Sequence, residues 1–431
     1  MKLIIGFDSW TTGSFHYEKL VSAFEKKGYK LLLIHIGSWG HDKNRPKEEY
    51  IGKLKVRDIS YYSDQSFSGI LIKEKPEAVI FLSTRAFAHQ AFNRYANHLN
   101  IPTVHLAHGL VGVQDVGLEH KTHKTSYSLL LSIWTQRISK NLFKLIPCYI
   151  QSLLATRASL NEWRAFGKEF LHKGLAKNNK NVLAPLDVAT SAGLVYTKAD
   201  IPFFRDGHHI NEKDIYIVGN PDLSRFELHH DNFGVGLQLN STENNEIIYI
   251  DTALVQAGFV FHDEAEYIDH LHVTFQKLVA QGYNMIVKLH PAHFKSGVPA
   301  ALNQLGIEIC QNADFVSRLK KSTAAIVEPS SAAMIPALMG KPVLLAQYEK
   351  LSEQRYGAVL TNYPRARFLK DLEEITGVLE TEYSELNHIA FKEWFNENSG
   401  PLPAEEMPHR VVQAVSIVIE EAKSFVKKVE C

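Results

Sequence analysis

Cysteine is scarce in this chain: Cys148, Cys310 and Cys431 are the three among 431 residues. An odd count without metal-type spacing argues against a disulfide framework or a cysteine zinc site and predicts a reducing compartment. Net charge is also missing, because Lys+Arg and Asp+Glu both total 47. The chain as a whole therefore has no excess of either sign to draw it to a polyanion. No apolar run approaches the roughly 18 residues of a membrane span. The opening MKLIIGFDSW reaches Asp8 too soon for a signal-peptide core, so the cytoplasm is the expected location. Neither a Gly-x-Gly-x-x-Gly fingerprint nor a Walker sequence occurs, which disfavours dinucleotide oxidoreductases and P-loop NTPases. Histidines number 21, yet HLH (270–272), HH (208–209) and HH (229–230) form no metal constellation, and no strand end carries an Asp-x-Asp pair. Neither a metal nor a cofactor is therefore expected. No nucleic-acid-binding module is recognisable.

What is present is alternation. Candidate strands LIIGF (3–7), LLLIHIG (31–37), AVIFLS (78–83) and TVHLAHG (103–109) are interleaved with helical patterns over 15–28 and 86–100. IYIVGNP (215–221) closes this unit, and an Asn-rich stretch, NSTENNE (240–246), follows it. The alternation then resumes with strands IIYIDT (247–252), NMIVKLHP (284–291), AAIVEPSS (324–331) and KPVLLAQ (341–347), and with helices over 264–282 and 331–340. Short β-branched runs between helices are the pattern of a parallel sheet covered on both faces. The expected architecture is α/β: two doubly wound Rossmann-like domains, 1–230 and 240–385, facing a cleft, with a C-terminal helical tail at 386–431.

Two of these strands stop abruptly at polar residues. IVKL runs into His290-Pro291, and AAIV runs into Glu328-Pro329-Ser330-Ser331. In open parallel sheets, ligands collect beyond the carboxyl ends of the strands, where backbone amides at helix starts point outward. Hydroxyls at Ser330 and Ser331 suit a phosphate, and His290 can donate to it from a turn fixed by Pro291. A polar pair, Asp251-Thr252, ends the first strand of the same domain in YIDTALVQAG (249–258) and faces the same edge.

KLHP and EPSSAAMIPALMGKPVLL resemble the His-Pro and Ser-Ser motifs of bacterial glycosyltransferases of the GT-B fold. The likeness is greatest to sialyl- and polysialyltransferases and to capsule or lipopolysaccharide glycosyltransferases, and similar signatures occur in CDP-glycerol polymerases. It covers about 245–350, with a weaker echo in NIPTVHLAHGLVG (100–112). The resemblance implies a nucleotide-sugar donor bound by the second domain and a glycan acceptor bound by the first. His290 would contact the donor phosphate and Ser330 with Ser331 would hold it, while Glu328 would accept hydrogen bonds from ribose hydroxyls or a base amino group. A CMP-linked acidic sugar, sialic-acid-like or Kdo-like, is the donor implied. No acidic-acidic-glycine triplet of the sialyltransferase type is found.

An inverting transfer requires a base near the acceptor hydroxyl. Asp8 ends the first predicted strand, His108 ends TVHLAHG with Gly109 after it, and Asp115 and Glu119 lie just downstream. The histidine of a His-Gly motif in CDP-glycerol polymerases resembles His108 in position. A retaining mechanism would need no such base. The segment 121–180 carries basic residues beside apolar and aromatic ones, with Glu162 and Glu169 as its acids. It suits either a packed acceptor domain with a solvated basic face or peripheral association with the inner face of an anionic membrane holding a lipid-linked glycan acceptor. A nucleotide-sugar 2-epimerase, a CDP-glycerol-type polyol-phosphate transferase and a non-catalytic glycan-binding protein are the alternatives.

Overall fold

Short apolar runs buried on both faces build two separate sheets. The computed structural model describes residues 1–9, 13–39, 45–64, 66–84, 86–109, 141–173, 189–226, 245–255, 260–329, 331–346, 356–369 and 385–430. The first sheet holds β1 (Lys2–Asp8), β2 (Tyr29–His35), β3 (Glu48–Ile51), β4 (Leu54–Asp58), β5 (Ala78–Phe81), β6 (Thr103–Leu106), β7 (Ala192–Val195) and β8 (Ile215–Ile217). Its spatial order is β3-β4-β2-β1-β5-β6-β7-β8, and every pairing is parallel except β3 with β4. The second sheet holds β9 (Glu246–Ile250), β10 (Asn284–Lys288), β11 (Glu308–Ile309), β12 (Ala324–Val327), β13 (Val343–Ala346) and β14 (Ala366–Leu369). It is wholly parallel, in the order β11-β10-β9-β12-β13-β14. The expected class, two doubly wound α/β domains with helices at the C-terminus, is the observed one.

Around the first sheet lie α1 (Ser14–Glu18), α2 (Val21–Lys26), α3 (Phe67–Glu74), α4 (Phe87–His98), α5 (Ile146–Ala155), α6 (Leu160–Lys173) and α7 (Ile201–His208). Around the second lie α8 (Glu264–Ala280), α9 (Val298–Gln304), α10 (Phe315–Lys321), α11 (Met334–Leu338) and α12 (Gly357–Thr361). Local chemistry sets their ends. Asp263 caps α8 by accepting from the Glu266 N–H at 3.0 Å, and Ser66 caps α3 from the Gly69 N–H at 3.2 Å. Gly6 in β1 has no side chain to keep the Tyr17 ring away, since a Cβ there would lie 2.6 Å from it. Tyr17 is thus packed on the strand, with its hydroxyl donating to the Ile80 carbonyl at 3.1 Å.

The C-terminal tail divides its allegiance. In α13 (Glu385–Asn398), Phe391, Trp394 and Phe395 pack into the second domain's core. In α14 (Met407–Glu430), Val411, Val415, Val418 and Ile419 form one buried stripe at helical spacing that joins the core of the first. Arg410 secures the crossing by donating to the carbonyls of Val218, Pro401 and Pro403.

Several local expectations differ from the structure. The helix expected over 15–28 is two short helices, α1 and α2, because the turn through Lys19-Leu20 breaks it. The helix expected over 331–340 is a 3-10 turn, Ser331–Ala333, followed by the five-residue α11. The strand expected over 103–109 ends at Leu106, which leaves His108 beyond the sheet edge. Strands β3, β4, β7, β11 and β14 are not evident from sequence. β7 is only AGLV, too small and short to stand out, and its Gly193 receives the Phe204 ring. Of the basic segment, residues 141–173 are described: α5 buries Tyr149 and Leu153 against α4 in the first domain's core. The rest of that segment lies outside the described residues.

Candidate functional site

In each sheet the strand order reverses direction at one place, between β1 and β5 in the first and between β9 and β12 in the second. Adjacent loops there leave the carboxyl edge toward opposite sides and open a crevice. Both places carry a carboxylate.

At the second crevice, two buried carboxylates lace three strand ends together. Asp251, the residue after β9, accepts at Oδ2 from the backbone N–H of His290 at 2.7 Å and has His293 Nε2 at 3.3 Å. Its Oδ1 accepts from the Ala253 N–H at 2.9 Å. That bond holds Ala253 at φ +60°, left-handed backbone that a non-glycine residue adopts only where its surroundings impose it. Glu328, the residue after β12, is wholly buried. Its Oε1 accepts from the Tyr249 hydroxyl at 2.8 Å, and its Oε2 from the Thr252 N–H at 2.9 Å and the Thr252 hydroxyl at 2.7 Å.

The two carboxylates are driven apart in acidity. Burial, reinforced by the charge of Asp251, pushes Glu328 up to about 7 despite its three donors. Burial also opposes ionisation of Asp251, but the hydrogen bond and charge of His293 and the N–H groups of His290 and Ala253 outweigh it and hold the carboxyl below its usual range. Near neutral pH the pair thus carries one firm negative charge and one that is readily neutralised.

His290 is exposed and opens the 3-10 turn Pro291–Lys295, with Pro291 at its first position. Its Nδ1 accepts from the Ala292 N–H at 3.2 Å. An acceptor at Nδ1 places the proton of the neutral ring on Nε2. Burial lowers the pKa of this ring, with the charges of His293 and Lys288 assisting and that of Asp251 opposing. His293 is wholly buried and stacks on Tyr267 with 5.1 Å between centroids.

Two expected donor contacts look different here. Glu328 has its oxygens committed to Tyr249 and Thr252 and presents none to solvent, and the Thr252 hydroxyl turns inward to it. Carboxylate and hydroxyl hold the edge together rather than reach outward. Ser330 lies outside the described residues, as does the side chain of Ser331, which starts the 3-10 turn. With only five residues in α11, the helix-dipole contribution expected at that turn is correspondingly small.

At the first crevice the groups are looser. Asp8 ends β1; its Oδ1 accepts from the Ser9 N–H at 2.6 Å and lies 3.8 Å from Nε2 of the buried His89. It does not cap α1, whose N-cap is Gly13 without a side-chain bond. The Gly13 backbone lies against the carboxylate instead, since a Cβ there would be 2.3 Å from Asp8 Oδ2. His108 is exposed two residues past β6, and its ring stands 6.1 Å from that of His16 on α1. Burial, followed by the charges of His108 and Lys19, lowers His16 to about 4 and leaves it a neutral base at physiological pH. The structure thus gathers Asp8, His16, His89 and His108 at one edge. Asp115 lies outside the described residues.

Sequence reading missed His16, His89, His293 and the Tyr249 partner of Glu328. His293 had a signal, standing three residues after His290 in HPAH, one turn along a tight helix. His89 and His16 sit within helical patterns, where nothing marks one histidine as facing a strand end. Among the described residues no group of three or more histidine, cysteine, aspartate or glutamate side chains is placed to hold a metal ion, and no helix is long and apolar enough to cross a membrane.

No protein-family model matches the chain, and no curated protein does. Among solved structures it is similar to the wall teichoic acid polymerase TagF, at 12% identity and a TM-score of 0.48 over 97% of this chain and 89% of that one. It is similar to the UDP-GlcNAc 2-epimerase of Methanocaldococcus jannaschii at 13% identity, TM-score 0.42, over 97% and 100% of the two chains. A third is S. aureus MnaA in its co-structure with UDP, at 12% identity and TM-score 0.48 over 97% of each chain.

Proposed function

We propose that the chain is a glycosyltransferase that takes a nucleotide-activated donor at the carboxyl edge of its second sheet and an acceptor at that of its first. The observation that carries this reading is the second crevice. There His290 is exposed, tied through its backbone to Asp251 and through Nδ1 to its own turn, with Nε2 left to donate at the sheet edge. A donor hydrogen fixed at a sheet edge suits a phosphate oxygen, and a hydrogen bond to a charged group contributes about 1.5–3 kcal/mol. The donor favoured is a CMP-linked acidic sugar, on the resemblance of the His-Pro and Ser-Ser motifs. The acceptor is a surface glycan, and His108 or Asp8 would take the proton of its attacking hydroxyl if the reaction inverts configuration.

A second reading has an observation of its own. The exposed His108, with the neutral His16 beside it, supplies an imidazole base of the kind that the resemblance to CDP-glycerol polymerases implies, and so favours transfer of a polyol phosphate. A 2-epimerase would isomerise its nucleotide sugar with no acceptor present. Calorimetry against CMP, CDP, UDP and GDP, followed by product analysis with and without acceptor, separates the three. Binding of UDP alone would defeat the cytidine preference. Absence of any nucleotide binding would defeat the enzyme reading.

A further inference from the structure

We infer that His293 is a positioning residue: acting through Asp251, it fixes the turn that carries His290 so that the His290 Nε2–H points at the donor phosphate. This deepens the donor-phosphate reading of His290 and rests on it. A wholly buried imidazole is an expensive choice for packing, because an apolar side chain would fill the same space without losing water. Here the ring has a specific task. It stacks on Tyr267 at an interplanar angle of 14° and brings Nε2 to 3.3 Å from Asp251 Oδ2, the same oxygen that accepts the His290 N–H at 2.7 Å.

The carboxylate is thereby held in one orientation from both sides. Its second oxygen takes the Ala253 N–H, so rotation about the Cβ–Cγ bond would break three contacts at once. A fixed Asp251 fixes the His290 backbone. The fixed backbone aligns the Ala292 N–H with His290 Nδ1 at 3.2 Å, and that bond selects the tautomer with its hydrogen on Nε2. The chain of contacts runs from a buried ring to the identity of an exposed proton. Such supporting contacts decide whether a binding group is held to the accuracy its ligand needs.

The test uses the full chain and two independent readouts. Nitrogen-15 NMR of the histidine rings, without nucleotide, is expected to show His290 as the Nε2–H tautomer in the wild type and as a tautomer mixture in His293→Leu. CDP affinity by calorimetry is expected to fall about tenfold in His293→Leu, to be largely restored in His293→Gln, which keeps an amide donor, and to fall no further in His290→Ala/His293→Leu than in His290→Ala. If His293→Leu does not fold, Asp251→Asn is expected to give the same loss of tautomer bias. An unchanged His290 tautomer in a folded variant, or additive losses in the double variant, would overturn the inference. If His290→Ala itself leaves CDP affinity unchanged while His293→Leu still alters the His290 tautomer, the positioning stands and the donor-phosphate reading falls.

Discussion

The two crevices occupy equivalent places in their sheets and are built in opposite ways. At the second, Asp251 and Glu328 are sealed from solvent and accept from Tyr249 on β9 and from the turns that follow β9 and β10. At the first, among the described residues, Asp8 has one backbone donor and a histidine at 3.8 Å, and both ring nitrogens of that histidine, His89, are buried without a hydrogen-bond partner. Each unmet polar group of that kind costs about 1–3 kcal/mol. Among the described residues, the second edge's carboxylates are held by more hydrogen bonds than Asp8 is.

The comparison breaks most severely in stability. Asp251→Ala strands the buried His293 and the N–H groups of His290 and Ala253, and is expected to cost about 3–5 kcal/mol in urea denaturation. Asp8→Ala is expected to cost about 1 kcal/mol or less. Equal losses would mean that the two edges are equally organised.

Next in size is an opposition in pH dependence. Glu328 rises from 4.5 unfolded to about 7 folded, so the native state holds the extra proton between those values and its contribution to stability falls as pH rises through them. His16 falls from 6.5 to about 4, so the unfolded state holds the extra proton and stability rises over that range. Glu328→Gln should remove its fall between about pH 4.5 and 7, and His16→Gln should reduce the rise between about 4 and 6.5, part of which remains because burial also lowers His270 to about 4. Denaturation midpoints over pH 4 to 8 check both.

Smaller effects sharpen the assignment of roles. His290→Ala is expected to weaken nucleotide binding by about 1.5–3 kcal/mol in calorimetry, whereas His108→Ala should leave it within about twofold and lower turnover. Matched losses of affinity would contradict the division between edges. The smallest expected effect concerns the outer face of α5 and α6, where Leu154 and Leu160 are exposed beside Arg157, Arg164 and Lys168. If that face meets a membrane, flotation should need anionic vesicles and weaken with salt, since screening acts within about 8 Å at physiological ionic strength. Equal recovery with neutral vesicles would leave a solvated basic face.

Much of the fold could be read from the chain because its strands are continuous apolar runs between amphipathic helices, and that pattern needs no knowledge of neighbours. β1, β5, β9, β10, β12 and β13 are all of this kind. The strands that escaped, β3, β4, β7, β11 and β14, are half-exposed or made of small residues, so partners rather than composition make them strands. Asp8, His108, Asp251, His290 and Glu328 were legible as polar residues ending apolar runs.

Their roles were not legible, because a role depends on which way a side chain turns and on what meets it. Sequence alone determined that Glu328 stands at a strand end. The tertiary structure decided that it faces inward, where Tyr249 and Thr252 from β9 and its loop neutralise its lone pairs. Likewise the sequence determined a histidine followed by proline at 290–291, from the abrupt end of IVKL. Only the meeting of β9 with β10 brought Asp251 under that turn and His293 behind it. Apolar patterning is a local property that water enforces residue by residue, whereas a hydrogen bond between residues 251 and 290 exists only once two strands lie side by side.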